Sequence, residues 1–97
     1  MSEYKLLTLV NGFELIGKLV SDEPTYYILE EPLGIQPQQT GPDTYGLVLT
    51  PMSAADQEGQ HKLYKHAIGS ESLKVPEQIE KAYIKRTSKI QIVSGII

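Results

Sequence analysis

The segment Leu9–Leu19, LVNGFELIGKL, restricts the possible folds more than any other part of the sequence. Two apolar stretches flank an Asn-Gly pair there, and Asn-Gly is a dipeptide typical of β-hairpins. Both central residues of a type I′ turn need positive φ, which Asn and Gly tolerate. We therefore predict a type I′ turn at Asn11 and Gly12 between two antiparallel strands.

Gly17 lies on the apolar row of the second predicted strand, in line with Phe13, Leu15 and Leu19. Glycine weakens a strand unless the chain bends sharply or another segment packs closely at that point. We therefore interpret Gly17 as a place where a small sheet curves strongly and where the crossing strand leaves no room for a β-carbon.

Three more strands are predicted downstream from runs of aromatic and aliphatic residues. They cover residues 25–31 (TYYILEE), 44–50 (TYGLVLT) and 61–75 (HKLYKHAIGSESLKV), and for the last we allow a kink near its Lys-His pair. Neighbouring residues of a strand point to opposite faces, so we expect one of Tyr26 and Tyr27 in the core and the other at the surface.

The segment Pro32–Asp43 contains three prolines and two glycines. This composition is typical of loops, because Pro and Gly interrupt regular structure. We predict a loop with an extended start there, as part of a long insert that covers about residues 32–61.

The pattern of apolar residues changes near the C-terminus and predicts a helix from Pro76 to about Arg86. Pro is favoured at the first helical position, because its missing N–H has no partner there in any helix. Glu77 and Lys81 have the i, i+4 spacing of a supporting ion pair. The apolar stripe consists of Ile79, Ala82 and Tyr83. For the remaining segment, residues 89–97, we predict a short strand or a tail packed on a neighbouring molecule.

These elements predict one mainly β domain over residues 1–97, a length typical of a single domain. The expected architecture is a small, strongly bent, five-stranded open barrel over about residues 4–74, followed by the helix at about 76–86 and the tail. A chain of this size has a thin core, and open sheet edges need a cover. We therefore expect the protein to assemble with copies of itself.

Composition restricts the classes of function. The chain has no cysteine and a net charge of −3, which argues against a broadly basic nucleic-acid binder. Residues 1–59 carry two lysines against nine acidic residues (−7), whereas residues 60–97 carry seven basic residues against three acidic ones (+4). No apolar run approaches the length of a membrane span and no secretory signal is visible. We expect a cytoplasmic protein without a membrane partner.

Lys65 and His66 are the residues most suggestive of a site, because they place a cation beside an imidazole at the end of a predicted strand. They are a ligand clamp or an ordinary surface pair. A catalytic dyad is unsupported, since no nucleophile or second orienting group accompanies them, and no enzyme activity is predicted. His61 and His66 lack a regular metal-ligand spacing. We predict neither a metal nor a cofactor.

Two motifs together resemble the Sm-like (LSm/Hfq-type) family: LVNGFELIGKL at residues 9–19 and YKHAI at residues 64–68. The long insert and the C-terminal helix make the chain most similar to phage-encoded members. The resemblance implies a strongly bent five-stranded Sm-like barrel whose edges pair into a closed homo-oligomeric ring. It also implies binding of single-stranded RNA rich in uridine or adenosine, at or near the pore of the ring.

The same resemblance assigns roles to individual residues. Lys65 and His66 would lie at the pore, beside the base-binding pocket of an adjacent subunit. Lys65 would neutralise a phosphate or bond a base carbonyl, and His66 would contact phosphate or sugar. Tyr64 belongs to the same motif. Thr25 falls at the position where the family stacks a base, although it offers no ring for stacking. Tyr26 is its neighbour. The candidate RNA-binding residues are therefore Lys65, His66, Tyr64, Thr25 and Tyr26.

Two functions remain open at this point. The first is an RNA-binding ring, favoured by the YKHAI motif. The second is a structural or protein-interaction ring with a degraded RNA site, favoured by the acidic balance and by Thr25. A further basic run is either a phosphate-attracting rim or an ordinary solvated face; it consists of Lys81, Lys85, Arg86 and Lys89. Binding through phosphates would weaken with salt, whereas an apolar protein interface would respond little.

Overall fold

The computed structural model describes residues 3–53 and 55–88. The elements are β1 (Tyr4–Leu9), β2 (Glu14–Asp22), β3 (Tyr26–Gly41), β4 (Thr44–Pro51), β5 (Gln60–Tyr64), a 3₁₀ turn (Lys65–Ala67), β6 (Ile68–Glu71) and α1 (Glu77–Thr87). A mainly β protein with one C-terminal helix is therefore confirmed. The prediction for residues 89–97 falls outside the described residues.

The predicted hairpin joins β1 to β2, but the predicted turn type is wrong. Gly12 has φ of +90°, whereas Asn11 keeps a negative φ. The Gly12 N–H donates to the Leu9 carbonyl at 2.9 Å, and the Leu9 N–H donates to the Phe13 carbonyl at 2.8 Å. This is a three-residue loop, in which a turn is followed by a glycine in the left-handed region. The side chain of Asn11 accepts a hydrogen bond from the Phe13 N–H at 2.9 Å.

All strands pair antiparallel in one open sheet. Its main path runs β4-β3-β2-β1-β6, and β5 pairs with β3 beside that path. The first half of β3, Tyr26–Glu30, pairs with β5, whereas the half from Leu33 to Gly41 pairs with β4. The sheet therefore also contains the path β5-β3-β2-β1-β6, whose two end strands are joined by the 3₁₀ turn alone.

The predicted number of five strands is wrong, because the described part of the chain forms six. The segment predicted as one kinked fifth strand is divided at Lys65–Ala67 into β5 and β6. These two strands pair with different partners, β3 and β1. A single straight strand could not reach both partners, and this is why the chain turns at the Lys-His pair.

The predicted loop at Pro32–Asp43 is also wrong, because β3 continues to Gly41 and forms a hairpin with β4. Pairing of β3 with β2 ends at Ile35, so beyond it β3 has a neighbour on one side only. Proline is tolerated in such an edge segment, because its missing N–H need not remove a ladder bond. The insert therefore provides a largely exposed β-hairpin arm, residues 36–47.

Both faces of the sheet are covered by apolar residues. The interior cluster consists of Leu7, Leu15, Tyr27, Leu29 and Leu63. The helix-covered cluster consists of Leu6, Ile16, Leu33, Ile35 and Tyr83. Successive residues of one strand, such as Leu6 and Leu7, enter different clusters because strand side chains alternate between faces. Along β3 the alternation of side chains is interrupted at Glu31, whose φ of 46° marks an irregularity in the strand. Leu29 before it therefore belongs to the interior cluster, and Leu33 after it belongs to the helix-covered cluster.

The close approach predicted at Gly17 is confirmed. Gly17 is buried, and a β-carbon on it would lie 3.0 Å from Cβ of Leu29 on the neighbouring strand β3. The register between β2 and β3 shifts between Ile16 and Lys18, next to this contact. A larger residue at position 17 would push the two strands apart.

Helix α1 agrees with the predicted bounds to within one residue, and Pro76 directly precedes it. Tyr83 is buried, and its hydroxyl donates to the Glu30 carbonyl at 2.6 Å. Ile79 packs at the margin of the helix-covered cluster. Ala82 is exposed, so its predicted place in the apolar stripe is wrong. The helix contacts the sheet along a narrower line than the sequence pattern suggests.

Candidate nucleic-acid interface

The structure brings the five candidate residues together at the junction of β3, β5 and the 3₁₀ turn. Tyr26 on β3 lies opposite Tyr64 on β5. Thr25 precedes β3, and its carbonyl accepts a hydrogen bond from the Lys65 N–H at 2.9 Å. His66 is the central residue of the 3₁₀ turn. Residues that are about 40 positions apart in sequence therefore form one continuous surface.

Three rings of this surface form an aromatic row, Tyr26–Tyr64–His66. The Tyr26 and Tyr64 ring centroids are 6.3 Å apart with an interplanar angle of 66°. Tyr64 and His66 are stacked, with centroids 5.7 Å apart and an angle of 26°. Tyr64 is 49% exposed and His66 is also exposed, so the row presents aromatic faces to solvent.

The two adjacent tyrosines divide as predicted from strand alternation. Tyr27 is buried in the interior cluster, whereas Tyr26 is half-buried and joins the aromatic row. Side chains one residue apart on a strand cannot share a face. Only Tyr26 is therefore accessible to a ligand.

Lys62 is a member of this surface that sequence reasoning missed. Its Nζ lies 4.4 Å from the Tyr26 ring centroid and 6.0 Å from that of Tyr64. Both distances are within the range of cation–π attraction. The signal was present in the sequence, because Lys62 and Tyr64 are two residues apart on one strand and therefore point to the same face.

Lys65 points away from the aromatic row and is already paired. Its Nζ donates to Oδ1 of Asp22 at 2.7 Å and lies 4.7 Å from the Tyr27 ring centroid. The Lys65 side chain is 34% exposed and that of Asp22 is 50% exposed, so solvent reaches the ion pair. Exposed ion pairs contribute about 0–1 kcal/mol, so a phosphate could replace Asp22 at low cost.

Thr25 has a structural part in the site and no stacking part. Its side chain is exposed, and its carbonyl fixes the backbone of Lys65. This agrees with the expectation that the residue offers no ring surface.

A polar network next to the site ties β1, β3 and β6 together. The Tyr27 hydroxyl donates to Oε1 of Glu71 at 2.6 Å, and Lys5 Nζ donates to Oε2 of the same carboxylate at 2.9 Å. The hydrogen bond to Glu71, together with burial, raises the pKa of Tyr27 to about 12.

The charged members of this network stabilise one another. Burial opposes the charge on Glu71, but the hydrogen bonds from Tyr27 and Lys5 hold the pKa of Glu71 below its usual value. Burial also opposes the charge on Lys5, yet the carboxylates of Glu71 and Glu3 raise the pKa of Lys5. The network therefore remains charged at neutral pH and holds Tyr27 in place beneath Lys65.

The other candidates from the sequence lie elsewhere. His61 Nε2 is 3.0 Å from the Asp56 carbonyl oxygen, on the loop before β5. Residues 3–53 and 55–88 contain no group of three side chains able to hold a metal ion. Lys81 pairs with Glu77 at 2.8 Å, as its spacing predicts. Lys85 and Arg86 are exposed on the helix near β4, and Lys89 lies outside the described residues.

Comparisons with known proteins do not assign a class to this chain. No protein-family model matches the sequence, and no curated protein matches it. Within the described residues, α1 is too short and too polar to cross a membrane.

Proposed function

We propose that the chain is a ring-forming Sm-like protein that binds single-stranded RNA, with the aromatic row Tyr26–Tyr64–His66 as its stacking surface and Lys62 and Lys65 as its cations. The observation that carries the proposal is the convergence of the site. The three residues Tyr64, Lys65 and His66 of the YKHAI motif lie next to Thr25 and Tyr26 of a distant segment, and three of these five residues contribute neighbouring rings.

The sheet topology supports the Sm-like part of the proposal. Without the arm and β4, the path β5-β3-β2-β1-β6 has the five strands that the resemblance implies. The YKHAI motif lies where this path returns on itself, between its two end strands. The arm and the helix are then additions to a five-stranded unit.

The strand edges support the ring part of the proposal. In the described part of the chain, β5 and β6 each pair on one side only, with β3 and β1. A head-to-tail contact between β5 of one copy and β6 of the next would cover both edges, and it closes into a ring when successive copies complete a full turn. Because the 3₁₀ turn joins these strands, every such contact would lie next to an aromatic row.

The chemistry of the surface suits single-stranded RNA. Stacking of a base on an aromatic side chain contributes about 1–3 kcal/mol and tolerates any base, since every base has a π face. Lys62 lies beside the row and can neutralise a phosphate of the stacked nucleotide. Release of counterions from each neutralised phosphate then makes the affinity dependent on salt. With few cations in each copy, we expect micromolar affinity.

Two observations favour the alternative, a structural or protein-interaction ring with a degraded RNA site. Asp22 neutralises Lys65, the cation that the resemblance assigns to phosphate or base contact. The net charge of −3 also opposes the approach of a polyanion. Whether RNA can displace Asp22 from Lys65 separates the two functions.

The test is fluorescence anisotropy with labelled oligo-U and oligo-A over a salt series. Tyr64→Leu removes the central ring but keeps apolar bulk, whereas Tyr64→Phe keeps the ring and is the matched control. We expect Tyr64→Leu to weaken binding about tenfold, from the loss of one stacked base, and Tyr64→Phe to bind like the wild type. Thr25→Phe adds a ring beside the row and should tighten binding.

Lysine variants test the electrostatic part. Lys62→Ala and Lys65→Ala should each weaken binding and reduce the salt slope, because one phosphate contact is lost from each copy. Lys74→Ala changes an exposed lysine of the loop before the helix and should have no effect.

Light scattering coupled to size exclusion must first give a mass several times 10.8 kDa for the wild type and for each variant. If wild type binds neither oligomer at low salt, the alternative takes the place of RNA binding. A monomeric wild type would contradict both functions.

A further inference from the structure

The outer edge of β4 is a long and unprotected sheet edge. β4 covers the eight residues Thr44–Pro51 at the end of the sheet path, and within residues 3–53 and 55–88 it pairs with β3 alone. Its sequence, TYGLVLTP, contains no charged residue, and its proline is the last position. Edge strands usually carry charges or prolines that prevent pairing with another chain. This edge has neither along its first seven residues.

An apolar row on β4 leads from the core to solvent. Leu49 packs against the helix-covered cluster, Leu47 is 58% exposed, and Tyr45 is 72% exposed. Residues two positions apart share a face, so these three side chains form one row. A groove of about 450 Å³ lies beside it, and its lining includes Ala82, Lys85 and Arg86 of α1 as well as residues 47–49.

We propose that the β4 edge pairs antiparallel with the β4 edge of a second copy of this chain, around a twofold axis. The contact is isologous, because each copy presents the same strand to the other. It lies on a different edge from the β5 and β6 edges of the proposed ring. It would therefore join two rings, or two chains, and would not close one ring.

Charge complementarity selects a second copy as the partner. The strand itself is uncharged, so two copies with a net charge of −3 each can approach along it without like charges facing each other. Antiparallel pairing places Asp43, which directly precedes β4 in one copy, alongside the far end of β4 in the other. Lys85 and Arg86 line the groove on that side, and no carboxylate within the described residues forms an ion pair with either.

The pairing also covers the exposed apolar row. In the paired state, Tyr45 of one copy lies over the groove next to Leu49 of the other, since the strands run in opposite directions. Aromatic and aliphatic side chains that face each other across two strands stabilise the pairing of those strands. Both copies contribute the same contacts, so each favourable pair occurs twice.

The experiment compares Leu47→Lys with Leu73→Lys by light scattering coupled to size exclusion at micromolar concentration. Leu47 is on the edge, whereas Leu73 is fully exposed in the loop after β6 and provides the same substitution away from it. We expect Leu47→Lys to have half the mass of the wild type, whatever the number of chains in a ring. Leu73→Lys should keep the wild-type mass.

Tyr45→Lys is the second edge variant and should also halve the mass, because it places a charge on the same row. Circular dichroism should show that all variants remain folded, since each changed side chain is exposed. Hydrogen exchange gives an independent measurement. The β4 amides that point away from β3 should exchange slowly in the wild type and rapidly in both edge variants.

The outcomes also separate this contact from the proposed RNA site. Edge variants that keep the wild-type mass, or a Leu73→Lys variant that halves it, would overturn the β4 pairing and leave the ring and the RNA site in place. Half mass with unchanged RNA affinity per chain would support the pairing as an independent contact. If the wild type binds no RNA, a halved mass in the edge variants would still support the β4 pairing.

Discussion

The interior cluster and the helix-covered cluster lie on opposite faces of the same strands but are closed in different ways. Every member of the interior cluster comes from a strand, and Leu7, Leu15 and Leu29 are almost completely buried. The helix-covered cluster depends on α1, which adds Tyr83 at its centre and half-buried Ile79 at its margin. The comparison indicates that the sheet closes one core by its own curvature and needs a C-terminal element for the other.

The largest loss of unfolding free energy is expected from Leu29→Ala, and Ile79→Ala is its comparison in the other cluster. Leu29 is 1% exposed in the interior cluster, and removing such a side chain costs about 2–5 kcal/mol of unfolding free energy. Ile79 is half-buried, so its truncation should cost less than half as much. Urea unfolding at fixed protein concentration measures both. Equal losses would mean that the helix is as integral to the fold as the sheet interior.

Gly17→Val tests why the sheet curves towards the interior cluster. Its β-carbon would lie 3.0 Å from Cβ of Leu29, and overpacking of this kind costs about 1–3 kcal/mol. Gly46→Val is the matched control in the exposed arm, where the nearest atom would be a Thr40 methyl at 3.4 Å. Thermal melts should show a clear loss for Gly17→Val and little change for the control. A melting temperature that is unchanged or raised at position 17 would contradict close packing there.

Each cluster contains one buried tyrosine whose pKa is raised, so alkaline pH destabilises both clusters. Glu71 and burial raise the pKa of Tyr27 to about 12, and burial raises the pKa of Tyr83 to about 12. Both values lie above the ordinary 10.0, so the folded state holds these protons longer than the unfolded state. The resulting stability is complete below pH 10 and is lost as pH rises towards 12.

Tyrosinate absorbance during a pH titration should therefore show two tyrosines that ionise near pH 12. Glu71→Gln removes the negative charge beside Tyr27 and should move one of them to lower pH, whereas Tyr83→Phe should remove the other. If Glu71→Gln leaves both unchanged, the network does not govern the ionisation of Tyr27.

The smallest effect is expected at the proposed RNA site, which borders the interior cluster and not the helix-covered one. Asp22→Asn releases Lys65 and should tighten oligo-U binding about threefold, in line with the low energy of exposed ion pairs. Glu77→Gln removes the partner of Lys81 on the helix and is the matched control. Anisotropy should show no change for the control. Unchanged or weaker binding by Asp22→Asn would mean that Lys65 does not contact RNA.

Local patterns in the sequence predicted the parts of the fold that depend on local rules. The β1–β2 hairpin, the division between Tyr26 and Tyr27, the contact at Gly17 and helix α1 all follow from neighbouring residues. The turn at Asn11 was mistaken, because Asn-Gly also suits a three-residue loop in which only the glycine has positive φ. Short motifs alone do not distinguish loops that differ by one residue.

Features that depend on distant partners were not predictable from the sequence. The prolines of the insert indicated a loop, because the sequence does not show that β3 has only β4 beside it there. The partnership of Lys65 with Asp22 joins residues 43 positions apart, and no local pattern marks it. The resemblance selected the candidate residues but placed Lys65 and His66 beside the pocket of an adjacent subunit, so their proximity to Tyr26 within one chain was not predicted. Lys62 follows from strand alternation and was overlooked.

The 3₁₀ turn at Lys65–Ala67 limits the distance between β5 and β6, the two strands that it joins. This limit is smaller than the distance between those strands in a flat sheet. Between Tyr64 and Ile68 the chain has four Cα–Cα steps of about 3.8 Å, so these residues are at most about 15 Å apart. In a flat sheet the path β5-β3-β2-β1-β6 has four strand spacings, about 19 Å from end to end. The sheet therefore cannot flatten while the turn keeps its length. Adding two residues to the turn would remove this limit without touching either cluster.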